Sequence, residues 1–485
     1  MRSRQTFYVI LIALFATWGC SAPPAPELTD VLTVVYLTNT EAPPDLREVE
    51  AAINKRFAER IGARVTMRPL PSGVIERQLD MMLASESPPD LFATDIDELH
   101  SRVTRNQIRP LDSLLDFAGR NILKTIDPVY LRVGKIQGQT YAVPPMKDYA
   151  SFYGALLRSD LIGKYNVDMT RIRRLADLSP VLRMIKEGEE DIVPLVLSDF
   201  RNILSSYNNE YDNLGDDAGV LIDFRDPSRV SNLFESRFYS DAVSLARDWY
   251  VRGYLATDAD TSRETAEDYL AAGKAFAALC PQKPGFAGQE SRITGYSLRS
   301  VPLTKPVATS DKVGKTIWAI SAKSPRPVTA MRFLELLYTD AELVNLIDWG
   351  IEGKHYKRLT TNIITLPDRI GPAPIGYQPN HGWQFGNQFL SYVFLGDLPD
   401  IWKKMEDFNR QAIKSPALGF TFDPTPIKST YQAVRNVMND YRNGLETGAL
   451  DPVVALPVFK NKLREAGIDK VIEEKQRQLD AWIGR

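Results

Sequence analysis

The sequence is poor in the residues from which many catalytic and metal sites are built. Its 485 residues include only two cysteines and three histidines. Two cysteines exclude a disulfide-rich scaffold. The histidines, His100, His355 and His381, do not stand at the spacing of zinc ligands. No HExxH, GxSxG or CxxC motif occurs, so the common signatures of zinc hydrolases, serine hydrolases and dithiol enzymes are absent.

An excess of charge of one sign is also lacking. Lysine and arginine number 59 and aspartate and glutamate 61, which gives a net charge of −2. Without a large electropositive field, nucleic acid is not an expected partner. The segment Gly314-Lys315-Thr316 resembles the end of a phosphate-binding loop, but Thr309 stands where that loop requires a glycine. We interpret the segment as a turn.

The most apolar stretch stands near the N-terminus and is short. Arg2 and Arg4 precede an uncharged run from Phe7 to Ala16, and Gly19 and Cys20 follow it. A basic start, a short apolar core and a small residue before a cleavage point are typical of an export signal. A membrane anchor or a buried strand is the alternative, although the run is short for a bilayer span. The pattern predicts a signal peptide over residues 1–19.

The position of Cys20 is the second informative feature of this segment. A thiol directly after the apolar run, followed by small residues and prolines, resembles a bacterial lipobox, in which the cysteine takes a diacylglycerol. Thr17 and Trp18 depart from the usual pattern. The resemblance implies that Cys20 is lipidated and attaches the chain to a membrane, with residues 20–30 as a tether. Cys280 is then expected to be a buried, inert thiol.

The remaining chain is longer than one hydrophobic core usually serves, which predicts two lobes. Strand patterns over 31–38, 63–70 and 90–95 alternate with two helical patterns. Such an order implies a parallel sheet, and ligands gather beyond the carboxyl ends of its strands. The rim positions there are Asn39, Thr40, Asp95 and Asp97.

The rest of the chain is predicted to contain both helices and strands. The segment KTIWAIS (315–321) returns to a strand pattern, and Trp249 lies at helical spacing with Leu245, which favours a core position. Helical patterns near 427–445, 453–466 and 469–483 predict three C-terminal helices.

Several segments together resemble the extracellular solute-binding proteins of ABC importers, in particular a carbohydrate-type lipoprotein subfamily with a C-terminal domain of unknown function. The resemblance covers nearly the whole mature chain and depends on the order and spacing of its segments. The segments are SPPDLFAT (87–94), GQTYAVP (138–144), AAGKAFAAL (271–279), WGIEGKHY (349–356), WQFGNQF (383–389), SPALGFTFD (415–423) and IDKVIEEKQRQLDAW (468–482).

This resemblance implies an α/β fold of the type II periplasmic-binding-protein kind, with two α/β lobes joined by a hinge and a ligand cleft between them. Lobe 1 is expected to comprise 31–143 plus 312–356, and lobe 2 to comprise 144–311 plus 357–485. It implies a monomer without cofactor or bound metal that captures a small solute, expected to be an oligosaccharide, at the outer face of the membrane. It also implies ABC permease transmembrane subunits as partners.

Candidate ligand-binding residues stand at four places: the end of a strand at 95, the first crossing between lobes, and the motifs 349–356 and 383–389. For the two tryptophans, core packing is an equal alternative, and for the glutamate and histidine a salt bridge or a cap is one. The candidates are Asp95, Asp148, Tyr149, Tyr153, Trp349, Glu352, His355, Tyr356, Trp383 and Asn387.

Two other functions remain open at the level of sequence. An exported glycosidase or lyase would need two carboxylates across a cleft, and one sequence does not reveal such a pair. A sensory module would use the same fold and closure but present the closed form to a membrane kinase. Turnover of oligosaccharides would separate the enzyme from a binding protein, and neighbouring permease or kinase genes would separate transport from signalling.

Overall fold

The structure of the chain is a computed structural model, and it describes residues 30–38, 41–197, 203–204, 210–224, 226, 229–256, 264–368, 375–378 and 381–484. The predicted signal peptide, Cys20, most of the predicted tether, and the rim residues Asn39 and Thr40 lie outside the described residues. Within these ranges, no helix combines the length and the apolar character that a bilayer span requires.

The first part of the chain alternates strands and helices, as its periodicity predicts. The apolar positions Val49, Ile53 and Phe57 recur every four residues and form the buried face of the first helix. Gly62, with a φ of 77°, ends that helix in a left-handed conformation. The elements are β1 (Val31–Thr38), α1 (Leu46–Ile61), β2 (Arg64–Pro71), α2 (Ile75–Ala84), β3 (Leu91–Thr94), α3 (Ile96–Thr104), α4 (Asp112–Ala118), α5 (Arg120–Thr125), α6 (Pro128–Leu131), β4 (Lys135–Ile136), β5 (Gln139–Thr140) and β6 (Ala142–Val143).

The middle part contains the second set of strands. Trp249 is fully buried on its helix, and its Nε1 donates to Ser179 Oγ at 2.8 Å, which confirms the predicted core position. The elements are β7 (Phe152–Arg158), α7 (Ser159–Lys164), α8 (Ser179–Gly188), β8 (Val193–Leu197), α9 (Arg237–Val251), α10 (Ala266–Ala271), β9 (Ala275–Gln282), α11 (Phe286–Thr294), β10 (Leu298–Pro302), β11 (Val307–Ala308), α12 (Ser310–Gly314) and β12 (Ile317–Ile320).

The last part is mostly helical, and its final three helices match the three predicted from the sequence. The elements are α13 (Pro327–Thr339), α14 (Ala341–Trp349), β13 (Lys357–Arg358), β14 (Ile363–Thr365), β15 (Val393–Phe394), α15 (Ile401–Gln411), β16 (Ile413–Lys414), α16 (Lys428–Glu446), α17 (Pro452–Ala466) and α18 (Ile468–Ile483).

One five-stranded sheet has the order β2-β1-β3-β12-β6. Strand β1 pairs in parallel with β2 and β3, which confirms the predicted parallel unit. Strand β12 is antiparallel to both β3 and β6. The carboxyl ends of β1, β3 and β6 therefore share one edge with the start of β12.

A second sheet, of four strands, has the order β10-β7-β9-β8. Strand β7 is antiparallel to β9 and β10, and β8 is parallel to β9. The start of β7 and the ends of β8, β9 and β10 therefore share an edge. Each sheet has its own hydrophobic core, and the Cys280 side chain is buried on β9 of the second sheet, as predicted.

The chain connects the two sheets at residues 144–151, again at 303–316, and near β16. Strand β11 pairs in parallel with β16, and Ser151 forms a bridge with Val307. These crossings lie side by side. Two lobes with paired connections are the architecture that a hinge requires.

The segment after α14 packs differently from our sequence-based division, which placed residues 357–485 in lobe 2. Phe385 joins the core of the first sheet, with its ring 5.1 Å from that of Tyr36. The amide of Gln384 accepts from Leu37 N at 3.0 Å and donates to Leu37 O at 2.8 Å. We therefore propose that lobe 1 continues to β16 and that lobe 2 resumes after it.

Candidate functional site

The candidate site lies beside the crossing at 144–151, where the facing edges of the two sheets meet. This crossing leaves β6 of lobe 1 and enters β7 of lobe 2. Lys283 directly follows β9 of lobe 2, and its Nζ lies 3.2 Å from Asp148 Oδ2 in the crossing. A side chain of lobe 2 therefore meets the crossing next to a strand end, which is where open α/β sheets usually bind ligands.

Lys147 and Trp383 form the platform at the centre of this region. The Lys147 ammonium lies 5.2 Å from the centroid of the Trp383 ring, within the range of a cation–π contact. Asn409 Nδ2 donates to Lys147 O at 2.7 Å and fixes the backbone of the crossing. Burial lowers the pKa of the Lys147 ammonium, and the charge of Asp148 opposes this effect. Because Lys147 is buried and Trp383 is only partly buried, the indole ring is the surface that the platform offers.

A cavity of about 390 Å³, here called the aromatic cavity, opens between α11 of lobe 2 and the segment after α14. The Trp349 ring stacks against Phe394 with centroids 5.9 Å apart, and Trp402 stacks against Phe389 at 5.7 Å. Polar side chains complete its lining. They are Lys283, Gln289, Arg292, Asp348, Gln378, Gln388, Tyr392 and Asp397.

An ion pair joins the two sides of the aromatic cavity. Arg292 of α11 donates through both terminal nitrogens to the Asp397 carboxylate, at 2.7 and 3.1 Å. Its guanidinium also lies 5.8 Å from the centre of the Phe394 ring. Two-point pairing of arginine with a carboxylate fixes direction as well as distance. The pair therefore sets how closely α11 approaches the opposite wall.

A second cavity of about 280 Å³, here called the acidic cavity, lies between α3 of lobe 1 and the C-terminal region. Asp97, Asp216 and Asp311 line it, together with Arg435. Partial desolvation and the neighbouring carboxylates of Asp95 and Asp311 raise the pKa of Asp97 to about 6. Carboxylates, a guanidinium and nearby hydroxyls suit a ligand with many hydrogen-bonding groups.

Five of the sequence-predicted residues lie at or next to this region. Trp349 lines the aromatic cavity, Trp383 belongs to the platform, and Asp148 pairs with Lys283. Asn387 accepts from Phe389 N at 3.0 Å, and Asp95 accepts from Glu98 N at 3.0 Å as the cap of α3. The carboxylate of Asp95 and the amide oxygen of Asn387 thus each accept a hydrogen bond from a nearby backbone N–H group.

Two predicted tyrosines of the first crossing are buried in the cores. Tyr149 is 2% exposed and its ring centroid lies 4.2 Å from that of Tyr130. Tyr153 is 1% exposed, and its hydroxyl donates to Ile203 O at 3.1 Å. Both positions support a packing role, because Tyr149 belongs to the core of the first sheet and Tyr153, on β7, to the core of the second.

In the motif 349–356, the contacts after Trp349 are structural. His355 is buried: its Nδ1 accepts from Ile351 N at 2.9 Å, and its Nε2 lies 3.1 Å from Asp45 Oδ2. Glu352 pairs with Arg358 at 2.7 Å, and Tyr356 is 6% exposed. These contacts favour the salt-bridge alternative for Glu352 and His355, and we leave these three residues out of the proposed site.

Sequence reasoning missed Lys147, Lys283, Arg292 and Trp402. Lys147 stands next to the predicted Asp148, and Lys283 follows a strand end, so strand-end position was a usable signal for both. Arg292 and Trp402 lie on α11 and α15, which meet only in the folded chain. No local pattern marks that contact.

Comparisons with known proteins agree with this architecture. Residues 416–484 match the domain of unknown function DUF3502. A protein of Streptococcus pneumoniae named carbohydrate ABC transporter substrate-binding protein is 26% identical over 452 residues, which covers 91% of this chain and 89% of the relative.

Solved structures extend the likeness to three dimensions. The N-glycan transport solute-binding protein of Streptococcus pneumoniae has a TM-score of 0.84 at 26% identity, covering 94% of this chain and 99% of that one. The same protein in complex with Man5GlcNAc has a TM-score of 0.72, with the same identity and coverage. With its two lobes, its paired crossings and its C-terminal match to DUF3502, the chain has the type II periplasmic-binding-protein fold and is similar over nearly its whole length to solute-binding proteins of ABC transporters.

Proposed function

We propose that this protein captures an oligosaccharide built of mannose and N-acetylglucosamine units between its lobes and delivers it to an ABC permease. The observation that carries the proposal is the aromatic cavity between α11 and the segment after α14; the Trp383–Lys147 platform at the crossing and the acidic cavity support it. The complex of the relative with Man5GlcNAc supports this ligand class.

The aromatic cavity meets the two needs of a sugar ring. The C–H faces of a sugar pack on aromatic rings, and its hydroxyls need matched donors and acceptors. The indole nitrogen of Trp349 donates to Ser391 Oγ at 2.8 Å, and that of Trp402 donates to Ser391 O at 2.6 Å. Both rings are therefore held in place, and what they offer a ligand is their apolar surface.

Closure of the lobes on the ligand would complete the site. The TM-score is 0.84 for one structure of the relative and 0.72 for its complex with Man5GlcNAc. Sequence identity and coverage are the same in both comparisons, so the difference is one of conformation. A ligand that contacts both lobes stabilises the arrangement in which all contacts form together.

Calorimetric titration with Man5GlcNAc tests the proposal. We expect saturable binding of one ligand per chain with a dissociation constant near or below about 1 μM, equivalent to about 8 kcal/mol. Absence of binding by this glycan and its shorter fragments would contradict it. The same samples are examined for new reducing ends, because turnover would support the glycosidase alternative.

We further propose that the protein acts as a monomer held at the outer face of the membrane by a lipid on Cys20. The lipobox-like segment supports this, and Cys20 itself lies outside the described residues. Replacing Cys20 by alanine is expected to prevent acylation and signal cleavage at that position. Membrane fractionation and the mass of the N-terminal peptide check this. A processed, membrane-bound Cys20→Ala protein would contradict the assignment, and Cys280→Ala serves as the control.

A further inference from the structure

The loop over residues 211–219, here called the Asp216 loop, has an unusual backbone. Leu214 and Asp217 have φ angles of 50° and 65°, and Gly215 and Gly219 have φ angles of 93° and 104°. Residues with side chains rarely adopt this left-handed region, because Cβ approaches the following carbonyl. Such a backbone persists only when contacts from the surrounding structure hold it.

Three side chains of the C-terminal helices hold Asp216. Tyr431 of α16 donates its hydroxyl to Asp216 Oδ2 at 2.9 Å. Arg435, one turn later, donates to Asp216 O at 2.9 Å. Lys475 of α18 donates to Asp216 Oδ1 at 2.5 Å and to Gly219 O at 3.2 Å. Side chain and backbone of the loop are thus both fixed from outside.

Lys475 shows that this contact is specialised. Its side chain has 0% exposure, and both of its hydrogen-bond acceptors belong to the Asp216 loop. A buried ammonium is costly unless it is paired and hydrogen-bonded. Its Nζ also lies 4.9 Å from the centre of the Phe422 ring. A residue whose only role was to pack α18 against the core would not need a charged group here.

A second ion pair extends the contact along α16. Arg442 donates to Asp217 Oδ2 at 2.9 Å and to Glu446 Oε1 at 2.7 Å. Tyr431, Arg435 and Arg442 are spaced by four and seven residues, so they project from one face of the helix. That face follows the Asp216 loop for more than two helical turns.

The other side of the loop faces the ligand region. Leu214, Gly215 and Asp216 line the acidic cavity opposite Asp97 of lobe 1. The C-terminal helix α16 adds Tyr431 and Arg435 to the same lining. The residues that hold the loop are therefore next to, or part of, the wall that the loop forms.

We propose that the C-terminal domain, residues 416–484, is part of the binding apparatus: it sets the conformation of the Asp216 loop and forms with it one wall of the cavity between the lobes. The role assigned to the ligand rests on the proposed oligosaccharide function. The positioning role of Lys475 and Tyr431 does not depend on the identity of the ligand.

Hydrogen exchange of the ligand-free full-length protein tests the positioning role first. Lys475→Met keeps the length of the side chain and removes its charge, and we expect amide exchange in 211–219 to accelerate at least about tenfold. Tyr431→Phe removes one hydroxyl and gives a smaller acceleration in the same peptide, which keeps the test valid if Lys475→Met folds poorly. Lys470→Met, at an exposed position of the same helix, is the matched control and leaves the loop unchanged.

Titration with Man5GlcNAc then tests the role in binding. We expect Lys475→Met to weaken affinity about tenfold or more, and Lys470→Met to bind as the wild type does. Unchanged loop exchange in both Lys475→Met and Tyr431→Phe would overturn the proposal. Faster exchange in the loop of Lys475→Met together with an unchanged affinity for the glycan would overturn the proposed role of the loop in binding. If the wild-type protein binds no glycan, the oligosaccharide function fails while the exchange result still decides the positioning role.

Discussion

Replacement of Trp383 by alanine is expected to weaken oligosaccharide binding by about 30-fold or more. The indole is the aromatic half of the platform, and its removal takes away both a stacking surface and the cation–π partner of Lys147. Aromatic residues at the centre of a binding surface commonly contribute about 2 kcal/mol or more, which corresponds to a factor of about 30. Because Trp383 is only partly buried, the thermal midpoint should change much less than the affinity. Calorimetric titration and thermal unfolding measure the two effects.

Phe117→Ala is the control for this variant. Phe117 is 67% exposed on α4 and lines neither the aromatic nor the acidic cavity. Its removal should leave the affinity within about twofold of the wild type. Equal losses in the two variants, or none in Trp383→Ala, would count against the platform.

Replacement of Asp348 by asparagine is expected to stabilise the protein at neutral pH. Asp348 is buried beneath the aromatic cavity, accepts from Gly382 N at 3.1 Å, and also accepts from the Ser391 hydroxyl. Burial raises its pKa from 3.8 to about 6. The folded state therefore binds a proton more readily than the unfolded state, and its stability falls as pH rises between about 4 and 6.

The loss of stability caused by the charged, buried Asp348 carboxylate is fully present above about pH 6 and absent below about pH 4. It is on the order of 2–3 kcal/mol at neutral pH. An asparagine side chain carries no charge, so we expect Asp348→Asn to unfold a few degrees above the wild type at about pH 7.5 and level with it near pH 4. The contributions of the other ionisable groups are the same in both proteins, so they cancel in the difference in stability. Asp368→Asn, at an exposed carboxylate paired with Lys357, should show no such pH-dependent difference. A gain for Asp348→Asn that is the same at both pH values would contradict this account.

The fold was predictable from sequence where structure is local. Apolar residues spaced for one helix face identify α1, a β-branched run identifies β1, and the short apolar stretch after Pro88 and Pro89 identifies β3. The division after α14 was not predictable, because Gln384 and Phe385 return to lobe 1 through contacts with Leu37 and Tyr36, which stand near the other end of the chain. The amino-acid composition does not change at the point where the chain packs on lobe 1 again.

The candidate site was predictable only in part, for the same reason. Trp349 and Trp383 were predicted because they stand in distinctive motifs, and Asp148 because it stands at the first crossing between the lobes. His355 and Tyr153 belong to the same or neighbouring segments, yet their side chains turn into the structure. Which member of a motif faces a cavity depends on tertiary contacts, such as the His355–Asp45 pair, that the motif does not contain.

Small-angle scattering during titration with Man5GlcNAc tests the central claim most directly, because that claim is closure of two lobes on a ligand at their junction. We predict that the radius of gyration falls as the glycan saturates the wild-type protein and that Trp383→Ala requires about 30-fold more glycan for the same fall. A constant radius in wild-type protein that calorimetry shows to be saturated would contradict the account.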